Sequence, residues 1–208
     1  MDTQTKKRIP RGVRTKKKIF DAAIELIKEK GFQNVTIDEI CASCNVTKGA
    51  FYYHFDSKES VIEQIHLDTD QIVEKKIAQL LKMPPSLKIF QDMSYFYGEI
   101  TVERGVEVMR HKLHSNIDTA IANGGYRDFF DPEKRPALKL FKSIFLEIQK
   151  NGEVINNVTF EDFFRHLIIA YNGVVLDWCC NDGCYDLPSE IELATKRYLK
   201  SFQTKYQD

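Results

Sequence analysis

Apolar residues recur at intervals of three and four along most of this chain, which is the spacing of one face of a helix. In the first clear segment, residues 16–30, the apolar stripe consists of Ile19, Phe20, Ala23, Leu26 and Ile27. Gly31 follows it, and glycine is common just after a helix ends. The breaks along the chain fall at residues that end helices, and no segment favours a strand. We therefore predict an all-α fold.

Capping sequences indicate where several helices begin. Thr36 stands three residues before Glu39, the spacing of a capping box, and predicts a short helix. Thr47 caps a second short helix, and Asn45 between them tolerates a left-handed turn. Similar box-like starts occur at Thr159 and Ser189. The further helices are predicted at residues 57–81, 87–103, 106–117, 136–150, 160–181 and 190–205, which makes about nine helices in total.

The first three helices are typical of a helix-turn-helix unit, because two short helices joined by a tight turn are preceded by a longer one that braces them. We predict an N-terminal domain at residues 12–72, with the helix-turn-helix motif at about 36–55. A larger helical domain is predicted over residues 73–208. This length of chain can bury a core in each domain.

The motif contains a dense aromatic stretch, FYYHF, at residues 51–55. On a helical wheel Phe51 and Phe55 face the other two helices, which makes them core residues. A helix that enters a major groove needs small residues for close approach, and hydroxyls or cations that reach base edges. The residues predicted to face DNA in this way are Thr47, Lys48, Gly49, Ala50, Tyr52, Tyr53 and His54. Lys58 lies at the predicted start of a helix, where the helix dipole disfavours a positive charge. An ion pair with a DNA phosphate would explain a lysine at this position.

The segment from Gly31 to Glu59 resembles the DNA-binding domain of the TetR (tetracycline-repressor) family. The residues that carry the resemblance are Gly31-Phe32-x-x-Val35-Thr36-Ile37-x-x-Ile40, Val46-Thr47-Lys48-Gly49-x-Phe51-Tyr52-x-His54-Phe55 and Ser57-Lys58-Glu59. It covers about residues 14–62, and residues 63–208 match only in helix count and length.

The resemblance implies a homodimer with a C-terminal domain for ligand binding and dimerisation. It also implies repression at a palindromic operator in double-stranded DNA, released by a small-molecule effector. By position, Thr36 and Lys58 would contact phosphates. The residues that would contact bases or backbone are Thr47, Lys48, Gly49, Tyr52, Tyr53 and His54.

Charge is unevenly distributed although the formal net charge is zero. Residues 1–18 contain eight Lys or Arg and one acid, and the remaining residues contain 22 basic and 29 acidic side chains. A basic end on a mildly acidic body is expected of a protein that contacts nucleic acid at one end. A solvated basic tail is the alternative.

Several function classes are disfavoured by what the sequence lacks. With no signal peptide and no apolar span, we predict a cytoplasmic protein without a membrane partner. An enzyme is disfavoured because there is no βαβ pattern, phosphate loop or nucleophile–base arrangement. We predict no cofactor and no metal.

The C-terminal region is rich in aromatic residues, most of which must be core. A ligand pocket combines an apolar lining with a few polar groups. On that basis the predicted pocket residues are Met93, Tyr97, His114, Tyr171 and Trp178. Two helices, 160–181 and 190–205, are predicted to pair across a two-fold axis, where Ala170, Gly173 and Ala194 allow close approach.

Five cysteines leave two alternatives open. Cys41 and Cys44 have the spacing of a zinc or redox pair, but buried packing is favoured because no second pair stands at finger spacing. Cys179, Cys180 and Cys184 could sense thiols or metals if their helix continues far enough, and packing is again favoured. A ligand-independent architectural DNA-binding protein is the remaining alternative.

Overall fold

The computed structural model describes residues 10–122, 136–155 and 157–203, and within these ranges the only β-pairing is an isolated bridge between Val154 and Gln203. The predicted all-α fold is confirmed. The helices are α1 (Arg11–Lys30), α2 (Ile37–Cys44), α3 (Lys48–His54), α4 (Lys58–Glu63), α5 (Ile65–Leu80), α6 (Leu87–Arg104), α7 (Val106–Ala122), α8 (Pro136–Lys150), α9 (Phe160–Cys180) and α10 (Leu187–Lys200), with a 3-10 turn at Phe32–Asn34.

One predicted helix, residues 57–81, is divided at Gln64 into α4 and α5, so the described ranges contain ten helices. The chain forms two compact units, Met1–Gln64 and Ile65–Asp208. The predicted domain boundary at residue 72 lies inside α5, whose Val73 and Ile77 are fully buried in the core of the second unit. Because a helix packs as one body, α5 belongs to that unit from its first residue.

The N-terminal unit follows the predicted pattern closely. Gly31 ends α1 with a positive φ of 78°, and its amide donates to the carbonyl of Ile27. Asn45 adopts the left-handed conformation between α2 and α3, with φ 53°. The buried residues of this unit are Ile19, Phe20, Ala23, Ile24, Ile27, Phe32, Val35, Ile40, Cys41, Phe51, Phe55, Val61 and Ile62.

The second unit is built around α6, which packs against α10, while α9 packs against α7, α8 and α10. Its larger core contains a group of phenylalanine rings from α6, α8 and α9, namely Phe90, Phe141, Phe145, Phe160, Phe163 and Phe164. A smaller core combines Met109, Val175, Trp178, Cys179, Leu187 and Ile191.

The last helix begins earlier than predicted. It starts at Leu187 after Asp186, with Pro188 in the first turn, whereas Ser189 was the predicted cap. Proline is favoured in a first turn because its fixed φ suits the helix and no N–H is lost there. The Ser189 hydroxyl instead donates to the carboxylate of Asp186.

No helix in the described ranges has both the length and the apolar character that crossing a membrane requires.

Candidate nucleic-acid interface and ligand cavity

The start of α2 is fixed by the predicted capping box. The Thr36 hydroxyl accepts from the Glu39 amide at 3.2 Å, and the Thr36 amide donates to Glu39 Oε2 at 2.9 Å. Lys30 Nζ lies 2.8 Å from Glu39 Oε1. The hydrogen bond from Lys30, together with those from Thr36, lowers the pKa of Glu39 to about 2. Thr36 is exposed, and its polar atoms are already engaged in the cap.

The aromatic stretch of α3 divides between core and surface as its helical wheel predicts. Phe51 is fully buried and packs with Phe55 at a ring-centroid distance of 5.9 Å. Tyr53 is 82% exposed and Tyr52 is 53% exposed. His54 is half-buried and makes an edge contact with the Tyr53 ring at 4.9 Å. Two tyrosine rings of one short helix therefore face outward.

The first turn of α3 leaves open space at Gly49. The Thr47 hydroxyl accepts from the Ala50 amide at 3.1 Å, which caps the helix. A Cβ at Gly49 would come no closer than 3.8 Å to any neighbouring atom, the Thr47 hydroxyl. Packing within this chain therefore does not require glycine there, although glycine costs a helix about 1 kcal/mol relative to alanine.

Lys48 lies on the same exposed surface of α3, opposite an acid of α2. Its Nζ is 2.7 Å from Asp38 Oδ1, and both side chains are largely exposed. This hydrogen bond raises the pKa of Lys48. A phosphate that binds Lys48 would therefore compete with Asp38.

Lys58, whose phosphate contact stays a prediction, uses its charge inside the unit. Its Nζ donates to the carbonyls of Phe32 at 2.6 Å and Val35 at 2.7 Å. The same ammonium lies 4.1 Å from the centroid of the Phe32 ring. These carbonyls, together with the ring, explain a cation at the start of α4, and no phosphate is needed.

We expect Lys58→Met to destabilise the N-terminal unit by about 1–3 kcal/mol, because two carbonyls lose a charged donor. Thermal unfolding followed by circular dichroism measures this, with Lys18→Met, an exposed lysine of α1, as the control. The slope of log DNA affinity against log salt should be unchanged. A slope that becomes shallower by about 0.9 would indicate a phosphate contact instead.

The second unit contains a cavity of about 640 Å³, within the usual size range of small-molecule sites. Three predicted pocket residues, Met93, Tyr97 and Tyr171, line it. Its apolar lining also includes Ile65, Phe90, Ile100, Met109, Leu113, Ala137, Leu138, Phe141, Phe164, Leu167 and Ile168.

Two predicted pocket residues lie elsewhere. Trp178 is buried in the smaller core, about 10 Å along α9 from Tyr171, and its indole N–H donates to the carbonyl of Tyr185. The His114 side chain is 77% exposed and lies 3.2 Å from Asp118. On α7 the cavity face consists of Met109, Lys112, Leu113 and Asn116, and His114 points away from it.

Most of the polar lining of the cavity was not predicted from the sequence. Tyr171 and Thr101 share a hydrogen bond of 2.6 Å, and burial raises the pKa of Tyr171 to about 12. Arg104 forms an ion pair with Asp68 of α5. Lys112 is only 4% exposed. Helical spacing from Tyr97 along α6 reaches Thr101 and Arg104, so the periodicity contained this signal.

The predicted close-approach residues lie on adjoining helices. Ala170 and Ala194 are half-buried, and Gly173 is exposed, with no atom within 4 Å of a Cβ built there. Ile169 and Leu176, which flank Gly173 on α9, are each 54% exposed. This surface of α9 is apolar and open in the protomer.

The cysteines do not form a sensing cluster in the described part of the chain. Cys41 is buried, which raises the pKa of its thiol, and the Cys44 thiol donates to the carbonyl of Ile40. Helix α9 ends at Cys180, so Cys180 and the exposed Cys184 cannot share a helix face. No three potential metal ligands come together among the described residues.

Residues 19–65 match the model of the family described as bacterial regulatory proteins, tetR family. Over 199 residues the chain is 22% identical to the probable acrEF/envCD operon repressor of Escherichia coli K12, covering 91% of this chain and 87% of that repressor. Residues 19–65 therefore form a DNA-binding domain of the tetR family, and its helix-turn-helix consists of α2 and α3. Together with the similarity to a repressor over most of the chain, this match supports a DNA-binding transcriptional regulator of the TetR type.

Two other comparisons cover, respectively, a short stretch and most of the chain. A 49-residue stretch is 53% identical to IcaR of Staphylococcus aureus strain Newman, a negative transcriptional regulator of the biofilm operon icaADBC, and covers 24% of this chain and 26% of IcaR. The fold is similar to that of Thermus thermophilus FadR, a TetR-family repressor solved with lauroyl-CoA. That match has a TM-score of 0.66 and 22% identity, and covers 89% of this chain and 93% of FadR.

Proposed function

We propose that this chain is a homodimeric repressor that binds a palindromic operator through α3 and leaves it when a small molecule occupies the cavity. The observation that carries the proposal is the outward face of α3. It presents Tyr53, Tyr52 and Lys48 beside a glycine that the chain's own packing does not require. Such a surface suits close approach to a major groove.

The proposed DNA contacts divide into two kinds. Tyr52 and Tyr53 present hydroxyls and rings that can reach base edges, whereas Lys48 is suited to a phosphate or a base acceptor. The exposed cations Arg11, Arg14, Lys17 and Lys18 at the start of α1 add charge to the same unit. A dimer would place two such surfaces at half-sites about one helical turn, ~34–36 Å, apart.

The proposed release rests on the cavity and on α5. Ile65 and Thr69 of α5 line the cavity, and the chain continues from Ile65 through Gln64 into the DNA-binding unit. A ligand that favours one position of α5 would therefore bias the position of the unit attached to it. FadR, of similar fold, is a TetR-family repressor solved with a ligand, lauroyl-CoA, which supports a ligand role for this cavity.

The test begins with selection of bound fragments from genomic DNA of the source organism, which supplies the operator. Tyr53→Ala should then weaken operator binding by about 1–3 kcal/mol and leave the thermal midpoint nearly unchanged, because its ring is exposed. Fluorescence anisotropy with labelled operator measures the affinity. If the variant binds operator as wild type does, the reading surface is assigned to the wrong residues.

We expect Gly173→Glu to convert dimers to monomers, because a two-fold interface brings both new carboxylates together in an apolar contact. The protomer has room for the side chain, so helicity should be retained. Analytical ultracentrifugation measures the assembly, and Leu146→Glu, at an exposed leucine of α8, is the matched control. Persistent dimers of Gly173→Glu would place the interface elsewhere.

A further inference from the structure

We propose that Asp38 is a specificity-determining residue of the DNA-binding surface, because its carboxylate holds the Lys48 ammonium and makes this lysine favour operator over unrelated DNA. The inference deepens the proposed function and rests on it, since it takes α3 as the helix that faces DNA. It is carried by the ion pair between α2 and α3, by the exposure of both side chains and by the charge balance of the two helices.

The ion pair joins the first turns of the two helices of the motif. Asp38 is the second residue of α2, and Lys48 is the first residue of α3. Lys48 Nζ lies 2.7 Å from Asp38 Oδ1, and the two side chains are 61% and 66% exposed. The cap at Thr47 and the left-handed Asn45 fix the backbone between them. The pair therefore lies at the surface on a well-defined backbone.

The charge balance of α2 and α3 is unfavourable for a surface that meets phosphates. Residues 37–54 contain two acids, Asp38 and Glu39, and one lysine, Lys48. The fold accounts for Glu39, whose carboxylate completes the cap of α2 and lies 2.8 Å from Lys30 Nζ. In the described part of the chain the ion pair of Asp38 is the one with Lys48.

Folding stability does not account for this pair. Exposed ion pairs contribute little to the free energy of unfolding. An acid in the first turn of α2 is favoured by the helix dipole, but that effect requires no contact with Lys48. At a DNA surface the pair has a larger consequence, because the carboxylate acts on the lysine of α3 where phosphates concentrate negative charge.

Unrelated DNA gains less from Lys48 while Asp38 holds it. Binding that does not depend on sequence comes from lysines and arginines that neutralise phosphates and release counterions. The carboxylate already neutralises the Lys48 ammonium, and it repels a phosphate that approaches the same place. Asp38 therefore weakens the attraction of α3 for DNA of any sequence.

Operator DNA loses less, because a held lysine is also a positioned lysine. A free lysine side chain gives up rotamer freedom when it forms a contact, and a side chain that is already held gives up less. The ammonium has three N–H donors, so a bond to Asp38 leaves two for an acceptor on DNA. An operator that places an acceptor there can use them, and the ratio of operator affinity to unrelated affinity rises.

The test compares the full chain with Asp38→Asn on two duplexes of equal length, the selected operator and a scrambled version of it. Fluorescence anisotropy measures both affinities from about 50 to 200 mM salt. On the scrambled duplex Asp38→Asn should bind at least about fivefold more tightly at the lowest salt, and the slope of log affinity against log salt should steepen by about 0.9 for each bound protomer. The ratio of operator affinity to scrambled affinity should fall by at least about threefold.

Three further variants separate the carboxylate from a general change of charge. Asp38→Glu keeps the charge and should bind the scrambled duplex as wild type does. Glu25→Gln removes an exposed acid of α1 that lies 3.0 Å from Lys28, and it should change the scrambled affinity by less than about twofold. In a Lys48→Met background, Asp38→Asn should change the salt slope by less than half as much, because no lysine is released.

An unchanged or higher affinity ratio in Asp38→Asn, with wild-type circular dichroism, would overturn the inference, as would an equal effect of Glu25→Gln. A full effect in the Lys48→Met background would overturn the role of the ion pair. If Asp38→Asn does not fold, Asp38→Ala carries the same expectations, because it also removes the charge.

The failure of this inference and that of the proposed function are distinguishable. If Tyr53→Ala binds operator as wild type does but Asp38→Asn lowers the affinity ratio, the assignment of the tyrosine surface fails and the role of Asp38 stands. If Tyr53→Ala weakens operator binding and Asp38→Asn leaves the ratio unchanged, the proposed surface stands and the role of Asp38 is wrong.

Discussion

Phe51→Ala should unfold the N-terminal unit at temperatures where the second unit remains folded. The Phe51 ring is fully buried between α3 and the rest of its unit, and it contacts Phe55 and Tyr52. Truncating a buried phenylalanine costs about 3–5 kcal/mol, because the transfer free energy is lost and a cavity remains. A small helical unit of this size has about that much stability in total.

The measurement separates the two units because the only tryptophan, Trp178, lies in the second unit. Circular dichroism should lose helical signal in an early transition, while Trp178 fluorescence keeps its wild-type midpoint. Tyr53→Ala is the matched control, since it removes a ring of similar size from an exposed position two residues away. Loss of DNA binding by Phe51→Ala without any early transition would contradict its assignment to the core.

Gly98→Val should destabilise the second unit by about 3 kcal/mol, at the upper end for overpacked cores. A Cβ at Gly98 would lie 2.6 Å from the Cα of Pro188, and the backbone there cannot turn aside as a flexible side chain can. Helices α6 and α10 would have to separate. Valine gains little helix propensity over glycine, so this gain does not offset the clash.

Trp178 fluorescence during thermal or chemical unfolding measures the second unit directly. Glu99→Val is the control, because it introduces the same side chain at the next position of α6, where the side chain is exposed. We expect the control to unfold near the wild-type midpoint. If both variants lower the unfolding midpoint equally, the loss of stability comes from placing valine in the helix. The close approach of α6 to α10 would then not be its cause.

The helix-turn-helix was readable from the sequence because its determinants are local. The capping box of Thr36 and Glu39, the left-handed Asn45 and the cap at Thr47 each act within four residues. A hydroxyl that accepts an amide three residues on specifies a helix start without help from the rest of the fold. The division of the aromatic stretch into buried Phe51 and exposed Tyr53 follows from the same helical period.

Lys58 has partners that local reasoning did not predict. Its sequence context gives only a cation at a helix start, and a phosphate was the simplest partner to infer. Its actual acceptors, the carbonyls of Phe32 and Val35, are more than twenty residues away in the chain. Only the packing of α4 onto the turn after α1 brings them within hydrogen-bond distance.

The sequence by itself determined the all-α class, the helix-turn-helix and the resemblance of that motif to the TetR family, since helical period, caps and a continuous motif are encoded by neighbouring residues. The tertiary structure decided what lines the cavity. It buried Trp178 in a second core, turned His114 to solvent and placed Lys112 and Arg104 in the lining. A cavity wall joins faces of several helices, and which face each helix turns inward depends on how distant helices pack.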